Sequence, residues 1–241
     1  MKVSIDLKGL SVSIAMPMHK DLYPSTVVSL MATIETMKSC GIEYDFLFLD
    51  CTYVDLSRNI LAHKYLAGKT DCLFWIDSDI VWHPDNLIQL VALSTKLKVV
   101  GATYPMRGEP CKFTINGALP GKEMQFRKGL GGCVTFDNIA FGMGFTCVQR
   151  EVMEKLAAKA PEILIDMGDT PVIRQIFECR ARPTELAKKM GVGREFSGED
   201  INFFRDVHAL GYDVWLDPSI TLGHVGSKVY SDDVKTHLGI E

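Results

Sequence analysis

The stretch that most restricts this chain is CLFWIDSDIVWHP, Cys72 to Pro84. Five apolar residues, Cys72 to Ile76, run without a break into Asp77-Ser78-Asp79. A short continuous apolar run predicts a strand covered on both faces, as inside a parallel sheet. It sets two carboxylates at the strand's C-terminal end, the edge where open α/β sheets bind ligands. Two acids one residue apart repel each other unless positive charge lies between or beside them. A divalent cation supplies that charge, because hard cations take carboxylate oxygens and share them with substrate phosphates. Helix capping is the ordinary alternative, since Asp is a good N-cap. The next helix, however, starts most naturally at Pro84 with Asp85 in its first turn, and the DSD triplet lies too early to cap it.

Around this stretch the chain alternates strand and helix. Leu10 to Pro17 reads as a strand, Tyr23 to Cys40 as a helix closed by Gly41, and Tyr44 to Asp50 as a second strand. A helix from Leu56 to Leu66, the strand Cys72 to Ile76, a helix from Pro84 and the strand Lys98 to Ala102 follow. That alternation means a mostly parallel sheet with right-handed crossovers. After Tyr104 the texture changes. Cys111 to Ile115 is strand-like, Ile139 to Val148 reads as one strand carrying Gly-Met-Gly at 142–144, and Arg150 to Lys159 is helical. Residues 160 to 197 are irregular, a segment of the kind that forms lids or binding loops. A helix from Gly198 to Leu210 and strands at Asp213 to Leu216 and Ile220 to His224 complete the pattern. The expectation is one α/β domain over 1–241. Residues 10–102 form its nucleotide-binding half, 103–228 its acceptor half and 229–241 a tail.

Two further sites carry chemistry. Gly198-Glu199-Asp200 opens a helix whose Phe203, Phe204, Val207 and Leu210 are amphipathically spaced. Ser197-x-x-Asp200 also has the form of a capping box, which needs no function. A carboxylate at a helix N-terminus suits either a cap or a base aimed into a cleft. His224 stands between glycines in Leu222-Gly223-His224-Val225-Gly226, and histidine beside carboxylates and phosphates suits Mn²⁺ somewhat better than Mg²⁺. There is no GxGxxG in the first βα unit, no GxxxxGK[ST] and no GxSxG, which argues against dinucleotide enzymes, P-loop NTPases and α/β-hydrolases.

DSD after the third strand, GED at a helix start and a histidine near the C-terminus, in that order, resemble a GT-A-fold glycosyltransferase. The likeness is to the family-2-like kind of bacteria and large DNA viruses. Ser57-Arg58-Asn59, the acceptor-side glycine turn Gly142-Met143-Gly144-Phe145 and the run Val214 to Ile220 fit the same pattern. The resemblance implies transfer of one sugar from a nucleotide-diphosphate sugar, UDP by default, to an acceptor hydroxyl. It implies that Asp77 and Asp79 hold Mn²⁺ or Mg²⁺ against the diphosphate, with Asp79 and His224 the likelier direct ligands. Pro17, Arg58, Asn59, Asp77 and Ser78 would face the nucleotide, Asp200 would be the base of an inverting enzyme, and Glu199 would support it. Phe203-Phe204-Arg205-Asp206 stands where processive relatives carry a QxxRW-like element, so single addition fits better. A nucleotidyltransferase would carry a glycine-rich loop where Met16-Pro17-Met18-His19-Lys20 stands, and a catalytically inactive domain would have lost one of these acids or the histidine.

Composition narrows the partners. Formal net charge is −4, with 47% hydrophobic residues, as in a soluble globular protein without a global basic field. Two local basic patches, Tyr104 to Lys128 and Arg180 to Arg194, could frame a polyanionic acceptor such as modified viral DNA, in place of a glycan. Seven cysteines without CxxC spacing read as buried reduced thiols. With no signal-like N-terminus and no apolar run long enough to cross a bilayer, a cytoplasmic location is expected.

Overall fold

The computed structural model describes residues 6–19, 21–116, 125–166 and 172–240. Strand β1 (Ser11–Met18), helix α1 (Pro24–Cys40), β2 (Glu43–Asp50), α2 (Val54–Ala67) and β3 (Cys72–Ile76) open the chain. After the DSD triplet come β4 (Ile80–Val81), α3 (Pro84–Leu97) and β5 (Val99–Gly101). The helix limits follow local chemistry. Pro24 occupies the first turn of α1, and Gly41 closes it in the left-handed conformation with φ of 69°. His83 caps α3 by accepting from the Asp85 amide at 3.4 Å, so the DSD is not needed as a cap.

The second half contains β6 (Ile115–Asn116), β7 (Arg127–Lys128), β8 (Val134–Thr135), β9 (Ala140–Phe141) and β10 (Phe145–Gln149). Then follow α4 (Arg150–Lys159), β11 (Glu162–Leu164), β12 (Val172–Arg174), β13 (Arg180–Arg182), α5 (Glu185–Lys189), β14 (Glu195–Ser197) and α6 (Glu199–Ala209). Strands β15 (Trp215–Leu216), β16 (Gly223–Val225) and β17 (Val229–Ser231) and helix α7 (Val234–Leu238) end it.

The central sheet has the order β2-β1-β3-β10-β5-β15-β8-β7. Strands β2, β1, β3, β5, β15 and β7 run one way, while β10 and β8 run against them, so the sheet is mostly parallel. The antiparallel β10 sits between β3 and β5, with Phe145 opposite Ile76. The loop before β10 is thereby brought to the edge that carries the DSD.

β3 is buried throughout, and its side chains alternate between two cores. Leu73 and Trp75 pack with Leu61 and Tyr65 of α2, Val152 of α4 and Phe203 and Phe204 of α6. Phe74 and Ile76 pack on the other face with Leu30 and Met37 of α1 and Leu87 and Val91 of α3. Burying both faces explains why the run carries no polar alternation. Each large side chain so buried contributes roughly 1.5–3 kcal/mol.

Three sequence expectations change. Ile139 to Val148 is not one strand: Gly142–Gly144 breaks it, β9 pairs with β6, and β10 enters the main sheet. Residues 160–197 are not an irregular lid. Their described part forms the hairpins β11–β12 and β13–β14 with α5 between the latter strands. These strands have three residues each, too few to show periodicity. The described residues of the expected tail, 229–240, are held to the domain: β17 pairs with β16, and His237 of α7 packs on Phe113 at 5.2 Å. All seven cysteines are thiols, but only Cys72, Cys133 and Cys147 are buried, and Cys179 is exposed. No helix among the described residues is long and apolar enough to cross a membrane.

Candidate active site

A cleft of about 300 Å³ opens at the C-terminal edge of the parallel strands. Pro17, Met18 and His19 line it from the end of β1, and Cys51, Thr52, Val54 and Arg58 from the β2–α2 connection and α2. Asp77, Ser78 and Asp79 follow β3, Tyr104 follows β5, Glu199 and Asp200 begin α6, and His224 lies on β16. The site residues expected from sequence therefore converge, with one exception, Asn59.

Asn59 is buried, and its side-chain amide grips the backbone of Phe177. Its Nδ2 donates to the Phe177 carbonyl at 2.7 Å, and its Oδ1 accepts from the Phe177 amide at 2.8 Å. Both ends of the amide are thus used to hold the segment between β12 and β13. The expectation that Asn59 faces a nucleotide is replaced by a structural role.

Arg58 is not a solvated helix charge. It is 3% exposed. Its Nη2 donates to Asp77 Oδ1 at 2.9 Å, its Nε reaches Glu199 Oε1 at 3.4 Å, and its guanidinium lies 5.4 Å from the Trp75 ring centroid. Burial opposes its charge, but Asp77 and then Glu199 outweigh burial and hold the guanidinium above its usual range. Arg58 is the tie between the DSD edge of β3 and the first turn of α6. Its Nη1 is buried without a hydrogen-bond partner among the described residues.

Asp77 is engaged on both oxygens, since Oδ2 accepts from the Tyr104 hydroxyl at 2.9 Å. Burial, and next the Asp77 charge, raise the Tyr104 pKa, so the phenol stays a donor. Tyr104 also accepts from the Gly144 amide at 3.3 Å. Position 144 has no room for a side chain: a Cβ there would stand 2.2 Å from Asp77 Oδ2 and 2.7 Å from the Tyr104 hydroxyl oxygen. The glycine turn thus packs directly against the Asp77 carboxylate and the Tyr104 hydroxyl. Gly144→Ala is expected to displace the Asp77 carboxylate and to cost about 1–3 kcal/mol as overpacking. Thermal unfolding measured beside nucleotide binding checks both effects.

Asp79 faces His224. β4, which follows the DSD directly, pairs with β16, and the Val225 amide donates to the Asp79 carbonyl at 2.8 Å. His224 Nε2 consequently lies 3.5 Å from Asp79 Oδ2. The other ring nitrogen, Nδ1, is 2.8 Å from the Pro105 carbonyl, which can only accept. The proton in that bond is therefore on Nδ1, and Nε2 is the nitrogen turned toward Asp79. A backbone carbonyl on Nδ1 is the partner that orients a metal-binding histidine to ligate through Nε2. Among the described residues no three His, Cys, Asp or Glu side chains are arranged to hold a metal ion. Asp79 and His224 make a two-ligand set, fitting cations that complete their shell with phosphate oxygens and water. With both of its oxygens already bonded to protein, Asp77 is the less suited of the two acids to ligate.

Asp200 stands in the first turn of α6, with Oδ1 accepting from the Ile201 amide at 2.7 Å. The capping box does not form: Gly198 is the N-cap and makes no side-chain cap bond, and Ser197 Oγ accepts from Arg205 at 2.6 Å. Burial, and next the neighbouring Glu199 charge, push Asp200 up to about 6. A carboxylate so raised is matched to taking a proton near neutral pH. The β14–α6 junction is pinned by Asn202, which donates to the carbonyls of Glu178 and Ser197, both at 3.0 Å.

Sequence reading missed Tyr104 and took Arg107, which is ion-paired with Asp79, only as part of the basic patch at 104–128. A tyrosine in a polar stretch carries no periodicity or motif that would single it out, and the charge of Arg107 does not say which carboxylate it meets. The basic patches are neutralised only in part, since Lys112, Lys128, Lys188, Lys189 and Arg194 make no ion pair among the described residues. Arg127 pairs with Asp213, Arg180 and Arg182 both pair with Asp206, and Lys122 lies outside the described residues.

No family model and no curated protein matches the sequence. Solved structures do match. The protein A197 from STIV aligns over 90% of this chain and 86% of its own, with a TM-score of 0.54 and 18% identity. GalNAc-T7, crystallised with UDP, GalNAc and Mn²⁺, aligns over 90% of this chain with a TM-score of 0.53 and 13% identity. This chain spans 44% of the GalNAc-T7 chain. Sheet order, the cleft at the strand ends and these two likenesses give one conclusion: the chain has the GT-A fold of glycosyltransferases.

Proposed function

We propose that this protein is a metal-dependent glycosyltransferase that moves one sugar from a nucleotide-diphosphate sugar to an acceptor hydroxyl. The observation that carries this is the meeting, in one cleft, of Asp79 and His224 with a carboxylate raised to about 6 at Asp200. GalNAc-T7, which shares the fold, was crystallised with UDP and Mn²⁺, and this favours a UDP-sugar donor and Mn²⁺ here. Asp79 and His224 would hold the metal, which when bound supplies Lewis-acid stabilisation of the leaving diphosphate. Pro17 and Ser78 line the same cleft and border the donor. Asp200 removes the acceptor hydroxyl proton as the oxygen attacks the anomeric carbon and the nucleoside diphosphate departs. This direct displacement inverts the anomeric centre, so the anomer formed tests the role given to Asp200. Glu199 and Asp77 act through Arg58: each holds one side of the guanidinium, fixing α6 relative to the DSD.

The acceptor is a glycan or modified DNA: four basic side chains of the two patches are on carboxylates, while Lys112, Lys128, Lys188, Lys189 and Arg194 make no ion pair among the described residues. The test is incubation with a panel of nucleotide sugars and Mn²⁺. Slow release of nucleoside diphosphate is expected, with a loss on the order of 100-fold or more in Asp79→Ala, since metal stabilisation is worth several kcal/mol. Release of pyrophosphate from a nucleoside triphosphate and sugar phosphate would instead identify a nucleotidyltransferase. No turnover of any donor, with Asp79→Ala binding metal as wild type does, would sink the reading.

A further inference from the structure

Arg107 is ion-paired with Asp79, the carboxylate assigned above to the metal. The Arg107 side chain is 43% exposed and that of Asp79 20%, so the pair lies at the mouth of the cleft rather than in the core. Its position is built. The Pro105 carbonyl, two residues before Arg107, accepts from His224 Nδ1. The Met106 amide donates to the Lys112 carbonyl at 2.7 Å, and Pro105 bridges Phe113 across the turn. Gly226, two residues past His224, leaves space for the arginine stem: a Cβ there would stand 3.0 Å from Arg107 Cδ. One histidine thus faces Asp79 with one nitrogen and steadies the Arg107 segment with the other.

We propose that Arg107 is a resident cation on Asp79 that yields the carboxylate to the metal and passes to the donor's diphosphate, making metal and nucleotide bind cooperatively. This rests on the glycosyltransferase reading of the cleft. A cation bound by Asp79 and His224 must displace the guanidinium. A diphosphate arriving with the metal brings oxygens to the same place, and a guanidinium pairs with phosphate as readily as with carboxylate. The metal alone therefore competes with Arg107, whereas metal with nucleotide gives Arg107 a second partner. Linkage makes the coupling reciprocal. The long exposed side chain can make the transfer without backbone movement.

The experiment measures Mn²⁺ binding by electron paramagnetic resonance of the free ion, with and without UDP, and UDP binding by calorimetry with and without Mn²⁺. Wild type is expected to bind Mn²⁺ more tightly when UDP is present. In Arg107→Gln, Mn²⁺ alone is expected to bind about fivefold more tightly, since the competing ion pair is lost. UDP in Mn²⁺ is expected to bind about fivefold more weakly and UDP alone to bind as in wild type, so the coupling shrinks by that same factor of about five. Arg107→Lys, which keeps the charge but not the planar fork, is expected to fall between. Unchanged Mn²⁺ and UDP affinities in a folded Arg107→Gln overturn the role of Arg107 while leaving the cleft reading intact. A wild type that binds neither Mn²⁺ nor UDP overturns both.

Discussion

Asp200→Asn is expected to abolish sugar transfer and, at the same time, to make the protein more stable above pH 6. Loss of a general base lowers kcat by about 10²–10⁴-fold. The stability gain follows from linkage. The Asp200 carboxyl is raised from the usual 3.8 to about 6 in the folded protein, chiefly by burial and then by Glu199. Between those values the folded state binds more protons than the unfolded one, so stability falls as pH rises through this window. Above it the ionised carboxylate costs roughly 2–3 kcal/mol in full. Asparagine keeps the acceptor for the Ile201 amide and removes the charge. The variant should therefore melt higher than wild type at pH 7.5, by roughly 2–4 °C for each kcal/mol recovered, and equal it near pH 3.5. Wild-type kcat/KM should rise through about pH 6 as the base ionises. A pH-independent difference in melting temperature would show that the gain does not come from this charge.

Arg58→Met is expected to be the most destabilising single change in the cleft. Arg58 is the buried cation that holds Asp77 and Glu199, and methionine leaves both carboxylates without it. Removing one partner of a buried ion pair costs about 3–5 kcal/mol, because the remaining charge is left uncompensated. Denaturant unfolding checks the magnitude. Arg58→Met combined with Glu199→Gln should recover part of the loss, which a simple packing defect would not. Arg58 is also among the charges that hold Asp200 down. If the single variant folds, its activity should rise at higher pH than that of wild type. Arg58→Lys is a poor substitute, since one ammonium cannot span both carboxylates in the fixed geometry of a guanidinium.

Much of the fold was legible because its signals are local. The apolar run Cys72 to Ile76 predicts a doubly buried strand and is one. Arg150 to Lys159 is a helix over the range read from its pattern. What failed was short or long-range. The three-residue strands of 160–197 hold too few side chains to show a period, and a single apolar run concealed the break at Gly142–Gly144. The segment after 228 looked like a tail because its strand is held by partners on β16 rather than by its own pattern.

The site divides in the same way. Residue types and their order nominated Asp77, Asp79, Glu199, Asp200 and His224 without coordinates, because that order on a βα scaffold resembles the glycosyltransferase pattern. Tertiary structure alone decided what each side chain is bonded to. It turned Asn59 onto the Phe177 backbone, sank Arg58 between two acids, engaged both oxygens of Asp77 and set the His224 tautomer through the Pro105 carbonyl. It also put Arg107 on Asp79, in a stretch with no motif. The physical reason is range. Hydrophobic periodicity and capping act over a few residues and are written along the chain. Ion pairing, burial and proton placement depend on groups that meet only when the sheet closes, and no local pattern records which groups those are.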